Sequence, residues 1–192
     1  DERHIRYQAA LDLKEVVTTE YNIEGKPIEK FMDLVLKVKP TQVTLVPDAE
    51  DALTSNAGWD TLTHKTYLQE VIGTLKAAGI RTSIFVDPVV EMVQGASETG
   101  TDRIELYTES YASQFADGNK EEAVKPFAEA AIAAQELNLG LNAGHDLSLD
   151  NIGFFKENVP NLLEVSIGHA LICESIYMGL DNVINLYKHR LK

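Results

Sequence analysis

The strongest constraint in this sequence is a repeated alternation. Six short β-rich runs are each followed by a polar or glycine-marked turn and then by a helical pattern. The runs are Tyr21–Gly25, Gln42–Pro47, Arg81–Asp87, Arg103–Thr108, Leu139–His145 and Leu162–His169. Helical periodicity lies between most of them. Ala10, Leu13 and Val16 or Val17 mark a helix over about 7–17, and Ile28, Phe31, Met32 and Val35 mark one that stops at Pro40. Leu68, Val71, Ile72 and Leu75 mark a third, ended by Gly79. Such spacing places one apolar stripe on a helix. A short helix over 88–94 and an alanine-rich helix over 121–138 follow, then helices over 148–158, 170–178 and 180–191. The segments 48–60 and 110–119 read as loops. Strands that alternate with helices form parallel sheets through right-handed crossovers.

Two architectures satisfy this pattern, an open doubly wound sheet and a (β/α)8 TIM barrel. The positions of the chemically capable side chains favour the barrel. Glu24, Asp87, Glu105, His145 and His169 fall at or near the ends of five different strands. In a barrel those ends converge on one mouth, whereas an open sheet spreads them along an edge. Six strands are two short of eight, and the chain opens at Asp1 within a charged stretch. The expectation is therefore one barrel domain over 1–192 that lacks its first two strands, with a segment preceding Asp1.

Composition narrows the function. The chain has 192 residues, 44% hydrophobic and 24% charged, enough for one domain with a substantial core. The formal charge of −13, from 30 acidic and 17 basic residues, argues against non-specific binding to nucleic acid or an anionic membrane. No apolar run approaches the length needed to span a bilayer. Cys173 is the only cysteine, which rules out a disulfide framework and suggests a reducing, cytoplasmic compartment. There is no G-x-G-x-x-G and no Walker-A sequence, so a dinucleotide or NTP site has no support.

The stretch G-L-N-A-G-H-D-L-S-L-D-N at 140–151 carries the clearest chemical signal. Slim residues end a strand and deliver His145 at its tip, just ahead of a helix. Two carboxylates near one another raise each other's pKa, so Glu24 and Glu105 in one cavity would include a base useful near neutral pH. His145 can exchange a proton at the same place. The Gly168–His169 tip, followed by a helix, is the form in which barrels bind phosphate after their last strands. Arg3, His4 and Thr54 form a second anion site if the long loop folds over the mouth. Two His and several carboxylates also suit a metal ion, although no H-E-x-x-H spacing occurs. A metal-dependent barrel isomerase or hydrolase and a non-catalytic phosphate-binding barrel thus remain alternatives. His64 and His189 read as surface residues, and Trp59 as packing.

Four motifs in order resemble the pyridoxine 5′-phosphate synthase family. They are N-x-E-G at Asn22–Gly25, L-V-P-D-A-x-x-A-L-T-S-N-x-G-W-D at Leu45–Asp60, N-A-G-H-D at Asn142–Asp146 and S-I-G-H-A at Ser166–Ala170. The resemblance implies an octameric (β/α)8 barrel that works without metal or organic cofactor. It implies condensation of 1-deoxy-D-xylulose 5-phosphate with 3-amino-2-oxopropyl phosphate to pyridoxine 5′-phosphate, inorganic phosphate and water. It implies that Glu24 is the general base, His145 the proton donor and Glu105 a group that stabilises charged intermediates. His4 and Thr54 would contact the deoxyxylulose phosphate; Asp146, Gly168 and His169 would contact the aminoketone phosphate. Two departures stand out. The family's second-strand pattern H-x-R-x-D-x-R-H survives only as Asp1, Arg3 and His4, and Asp146 replaces the glycine of the common N-A-G-H-G.

Overall fold

The computed structural model describes Glu2, residues 4–48 and residues 55–192. Its centre is a six-stranded sheet, β1 (Asn22–Gly25), β2 (Gln42–Leu45), β3 (Arg81–Val86), β4 (Arg103–Tyr107), β5 (Gly140–Gly144) and β6 (Leu162–Ser166). All pairings are parallel, and the strands stand in sequence order from β1 to β6. A doubly wound sheet must reverse its strand order at a switch point. No reversal occurs among the described strands, so every crossover returns on the same face and the sheet curls.

The curl brings distant strands together. In a flat sheet β3 and β6 would lie roughly 14 Å apart, at about 4.8 Å per strand. Yet a guanidinium nitrogen of Arg81 on β3 stands 3.9 Å from the Glu164 carboxylate on β6. Thr44 on β2 likewise reaches Glu105 on β4 at 3.5 Å. The described sheet is a parallel, curled half-barrel.

Alternation along the strands gives this wall two different faces. Val43, Leu45, Ile84, Val86, Ile104, Leu106, Leu141 and Ala143 point outward into a buried apolar layer. Helices cover that layer with Phe31, Val35 and Val38 from α2 (Glu29–Val38) and Leu68, Ile72 and Leu75 from α3 (Lys65–Ala77). Val93 from α4 (Val90–Glu98) and Phe127, Ala130 and Ala134 from α6 (Lys120–Glu136) complete it. A smaller cluster of Ile152, Val183 and Tyr187 joins α7 (Ile152–Asn158) to α9 (Leu180–Arg190). The remaining helices are α1 (Tyr7–Leu13), α5 (Glu109–Ala116) and α8 (His169–Met178).

Helix ends follow local chemistry. After α3, Gly79 at φ +78° donates to Lys76 O, and Ile80 donates to Leu75 O. After α6, Asn138 at φ +57° donates to Gln135 O, and Leu139 donates to Ala134 O. Both are Schellman endings, with the left-handed residue that such a stop requires. Asn138 is thus the stop of α6 rather than part of it.

Several stretches differ from the sequence expectation, among them α4, which spans Val90–Glu98 rather than 88–94. Most of the segment 110–119, read as a loop, lies in α5 (Glu109–Ala116), because Tyr111 inserts fully into the core. Its ring lies 4.9 Å from Phe155 and 5.9 Å from Phe127, and its hydroxyl donates to Asn151 O at 2.7 Å. Tyr111 and, one turn on, Phe115, which packs against Tyr111 and Phe154, anchor this helix, and two aromatics are too short a pattern to read as periodicity. Residues 148–151 form a turn before α7, in which Asn151 Oδ1 accepts the Ser148 N–H at 2.9 Å. The first helix ends at Leu13 rather than near Val17.

The Tyr111–Phe127–Phe155 cluster makes a specific energetic claim. Truncating a fully buried phenylalanine costs about 3–5 kcal/mol. Phe155→Ala should therefore lower the denaturant midpoint by that equivalent and loosen α5, read as faster amide exchange over 109–116. Unchanged exchange there would show that α5 does not depend on this cluster.

Candidate active site

The inner face of the wall is polar where many barrels are filled with aliphatic side chains. At its lower level Arg103 bonds Glu164 at 2.9 Å and Asn142 at 3.2 Å, and Arg81 Nε donates to Gln42 at 2.8 Å. Arg81 also pairs with Glu20, just before β1. Glu20 and Glu164 thereby hold the two guanidinium groups paired inside the wall.

A cavity of about 870 Å³ runs along this inner face, from Glu20 and Glu164 to the C-terminal ends of the strands. Glu24, Glu105, His145, Asp146, Gly168, His169 and His4 all line it. Seven of the eight sequence candidates among the described residues are thus gathered in one place; Arg3 and Thr54 lie outside the described residues. Asp87 does not join them, and its carboxylate accepts the Gly58 N–H at 3.3 Å. Trp59 is buried, donating to Leu45 O at 3.0 Å. His64 is exposed at the start of α3.

Glu105 is the most perturbed acid here. It is 1% exposed, at the centre of β4 on the inner face. Gly144 on β5 makes its space: a Cβ there would stand 2.1 Å from Glu105 Oε1. Burial is the main cause that pushes its pKa up, to about 8, and the carboxylates of Glu24 and then Glu164 add to it. Hydrogen bonds from Ser166 and Thr44 offset only part of the rise. Glu105 therefore stands largely protonated at neutral pH, beside a second carboxyl at the exposed Glu24. That pairing of one neutral acid with one carboxylate is the arrangement acid–base chemistry uses.

His145 sits on a backbone elbow. It and Asp146 both adopt left-handed φ, +81° and +57°. Thr108 fixes the bend: its N–H and its hydroxyl donate to Gly144 O at 3.0 and 2.8 Å, and the hydroxyl also contacts His145 O. The Tyr107 ring packs edge-on against the imidazole at 5.1 Å. On the far side, Gly168 and His169 begin α8, whose first turn carries no acidic residue to offset its positive end. His4 crosses over to stand 6.1 Å, ring to ring, from His169.

Several lining residues escaped the sequence reading. Asn22, Asp48, Phe85, Glu164 and Ser166 all border the cavity. Asn22 and Glu164 share an inner face with Glu24 and Ser166 at two-residue spacing, and this alternation was the available signal. Among the described residues no group of three or more His, Cys, Asp or Glu is placed to hold a metal ion. Nor is any helix among them long and apolar enough to cross a membrane.

Carboxyl and imidazole groups at the strand ends of a curled parallel sheet define an enzyme of the barrel-type α/β class. Solved structures bear out the fold. A monomeric form of phosphoribosylanthranilate isomerase from Thermotoga maritima matches with TM-score 0.61 at 12% identity, over 100% of this chain and 81% of that one. Mandelate oxidase matches with TM-score 0.63 at 10% identity, over 95% and 59%. The family is set by sequence: the model described as "Pyridoxal phosphate biosynthesis protein PdxJ" matches residues 1–192, and the chain belongs to that family. Relatives named pyridoxine 5′-phosphate synthase include those of Flavobacterium johnsoniae, 66% identical, and Christiangramia forsetii, 67% identical. Each match covers 100% of this chain and 81% of the relative. The relative from Bacteroides fragilis is 54% identical over the same shares.

The raised pKa of Glu105 has a thermodynamic consequence. Unfolded, this carboxyl ionises near its ordinary 4.5; folded, near 8. Between those values the folded chain holds a proton that the unfolded chain has lost. Stability present below pH 4.5 is therefore lost as pH rises toward 8. Glu105→Gln removes this dependence, so its stability relative to the parent should rise steadily from pH 5 to pH 8 in denaturant titrations. Parallel pH profiles for the two would mean that Glu105 is already ionised in the fold.

Proposed function

We propose that this chain condenses 1-deoxy-D-xylulose 5-phosphate with 3-amino-2-oxopropyl phosphate to form pyridoxine 5′-phosphate, inorganic phosphate and water. Family membership over the whole chain is the observation that carries this reading. The cavity supports it, since it is large enough for two phosphorylated substrates and offers acid and base groups on facing walls.

The roles follow from position and protonation. Glu24, near the mouth, is the general base that removes substrate protons. His145 is the proton donor to oxygens that leave as water. Amine attack on the ketose carbonyl gives a Schiff base, whose cationic form needs a counter-charge. Glu105, protonated in the resting site, supplies that charge by passing its proton to the imine nitrogen, which leaves a carboxylate beside the iminium cation. Loss of the ketose phosphate, closure onto the aminoketone carbonyl and loss of water complete the pyridine ring. Gly168 lets backbone approach the aminoketone phosphate closely, and the first turn of α8 with His169 holds it. Asp146 contributes its backbone N–H there. His4, with Thr54, contacts the deoxyxylulose phosphate.

The same reading extends to the assembly. Two further strands would close the wall between the edges of β1 and β6 as a (β/α)8 barrel, forming one domain. The barrel works as a homo-octamer in the cytoplasm, with no metal or organic cofactor and no nucleic-acid or membrane partner. The family resemblance supports these points, and the open edges of β1 and β6 among the described strands accord with closure.

The test is product formation by the full-length protein supplied with both substrates, following phosphate release and pyridoxine 5′-phosphate together. Glu24→Gln and His145→Asn should each lower kcat by roughly 10²–10⁴-fold, the range of a general acid or base. Unaltered protein that binds both phosphates without turnover would instead favour the phosphate-binding barrel.

A further inference from the structure

An imidazole has two nitrogens, and the hydrogen bond made by one decides what the other can do. In His145 the neighbouring residue makes that choice. His145 Nδ1 and Asp146 Oδ2 stand 2.5 Å apart. Successive side chains of a strand point to opposite faces and cannot meet in this way. The contact exists because both residues turn left-handed, at φ +81° and +57°, which brings the two side chains to the same side. Non-glycine residues adopt that conformation at a cost and keep it only where their surroundings impose it. Thr108 imposes it from one side, through Gly144 O and His145 O. Asn151 imposes it from the other, donating to Asp146 O at 3.2 Å while accepting from Ser148 N.

We propose that Asp146 is a positioning residue for His145. Its carboxylate accepts the Nδ1 hydrogen, which fixes the ring tautomer and assigns proton exchange with substrate to Nε2. The Tyr107 edge at 5.1 Å restrains the ring plane against the same bend. When protonated, His145 passes its Nε2 proton to a substrate oxygen and is left neutral, with hydrogen on Nδ1 still bonded to Asp146. The reverse transfer returns the proton to Nε2. The carboxylate at 146 thus has a partner other than the phosphate, and only the backbone N–H of this residue remains a phosphate contact. The common N-A-G-H-G motif has no side chain to do this, so the device belongs to the Asp-bearing form. It rests on the proton-donor role given to His145 above.

Asp146→Gly tests this cleanly, since glycine favours φ +57° and keeps the backbone N–H. In the full-length protein kcat should fall about 10- to 100-fold, the usual effect of losing a partner that orients a histidine. KM for 3-amino-2-oxopropyl phosphate should stay within about twofold if the backbone N–H makes the phosphate contact. Nitrogen NMR of histidine-labelled protein, with the His145 signal assigned through His145→Asn, should show the Nδ1–H tautomer in the parent. In Asp146→Gly it should show the Nε2–H form that neutral imidazole prefers in water. Asp146→Asn keeps an acceptor oxygen and should recover part of both readouts. A raised KM with unchanged kcat, or an unchanged tautomer in the glycine variant, overturns the proposal. Should the parent make no product, the functional reading fails by itself and the tautomer comparison still decides the role of Asp146.

Discussion

Everything in this molecule depends on parallel strands paired in sequence order. Each strand must be followed by a crossover, and right-handed crossovers in constant order place every covering helix on one face. The outer face therefore holds the apolar layer, and Val43, Ile84, Ile104 and Leu141 are buried there against α2 to α7. The inner face is left for polar residues, provided that each finds a partner. The pairing of Arg103 with Glu164 and of Arg81 with Glu20 and Gln42 meets that condition along the wall, with Glu20 and Glu164 bordering the cavity.

The same division accounts for the unusual carboxyl at the centre. Glu105 lies on the inner face but deep in the wall, where the hydroxyls of Thr44 and Ser166 are its hydrogen-bond partners. Burial and the neighbouring carboxylates then hold its proton on near neutral pH. The absence of a side chain at Gly144 is as much a part of this environment as Thr44 and Ser166, since a methyl group would occupy the space of the carboxylate. A neutral acid poised beside Glu24 is thus a product of wall geometry rather than of any single contact.

The elbow after β5 shows how backbone conformation becomes chemistry. Two consecutive left-handed residues end the strand, hold the imidazole over the cavity and give it a carboxylate partner. Thr108 and Asn151 come from the next layer of structure, after β4 and before α7, so the site is supported by elements that never border it.

The sequence by itself determined the alternation of elements, the six strands and the positions of the reacting groups near the strand ends. These depend on local spacing, which periodicity and turn residues record directly. The four motifs carried the family as well, because they preserve order and spacing over most of the chain. Only the tertiary structure decided that α5 is a helix, since Tyr111 and Phe115 hold it and two aromatics one turn apart are too short a pattern to read. It alone decided the protonated state of Glu105 and the contact of His145 with Asp146. Those properties come from groups distant in sequence, or from backbone angles imposed by distant hydrogen bonds, and no local pattern encodes either.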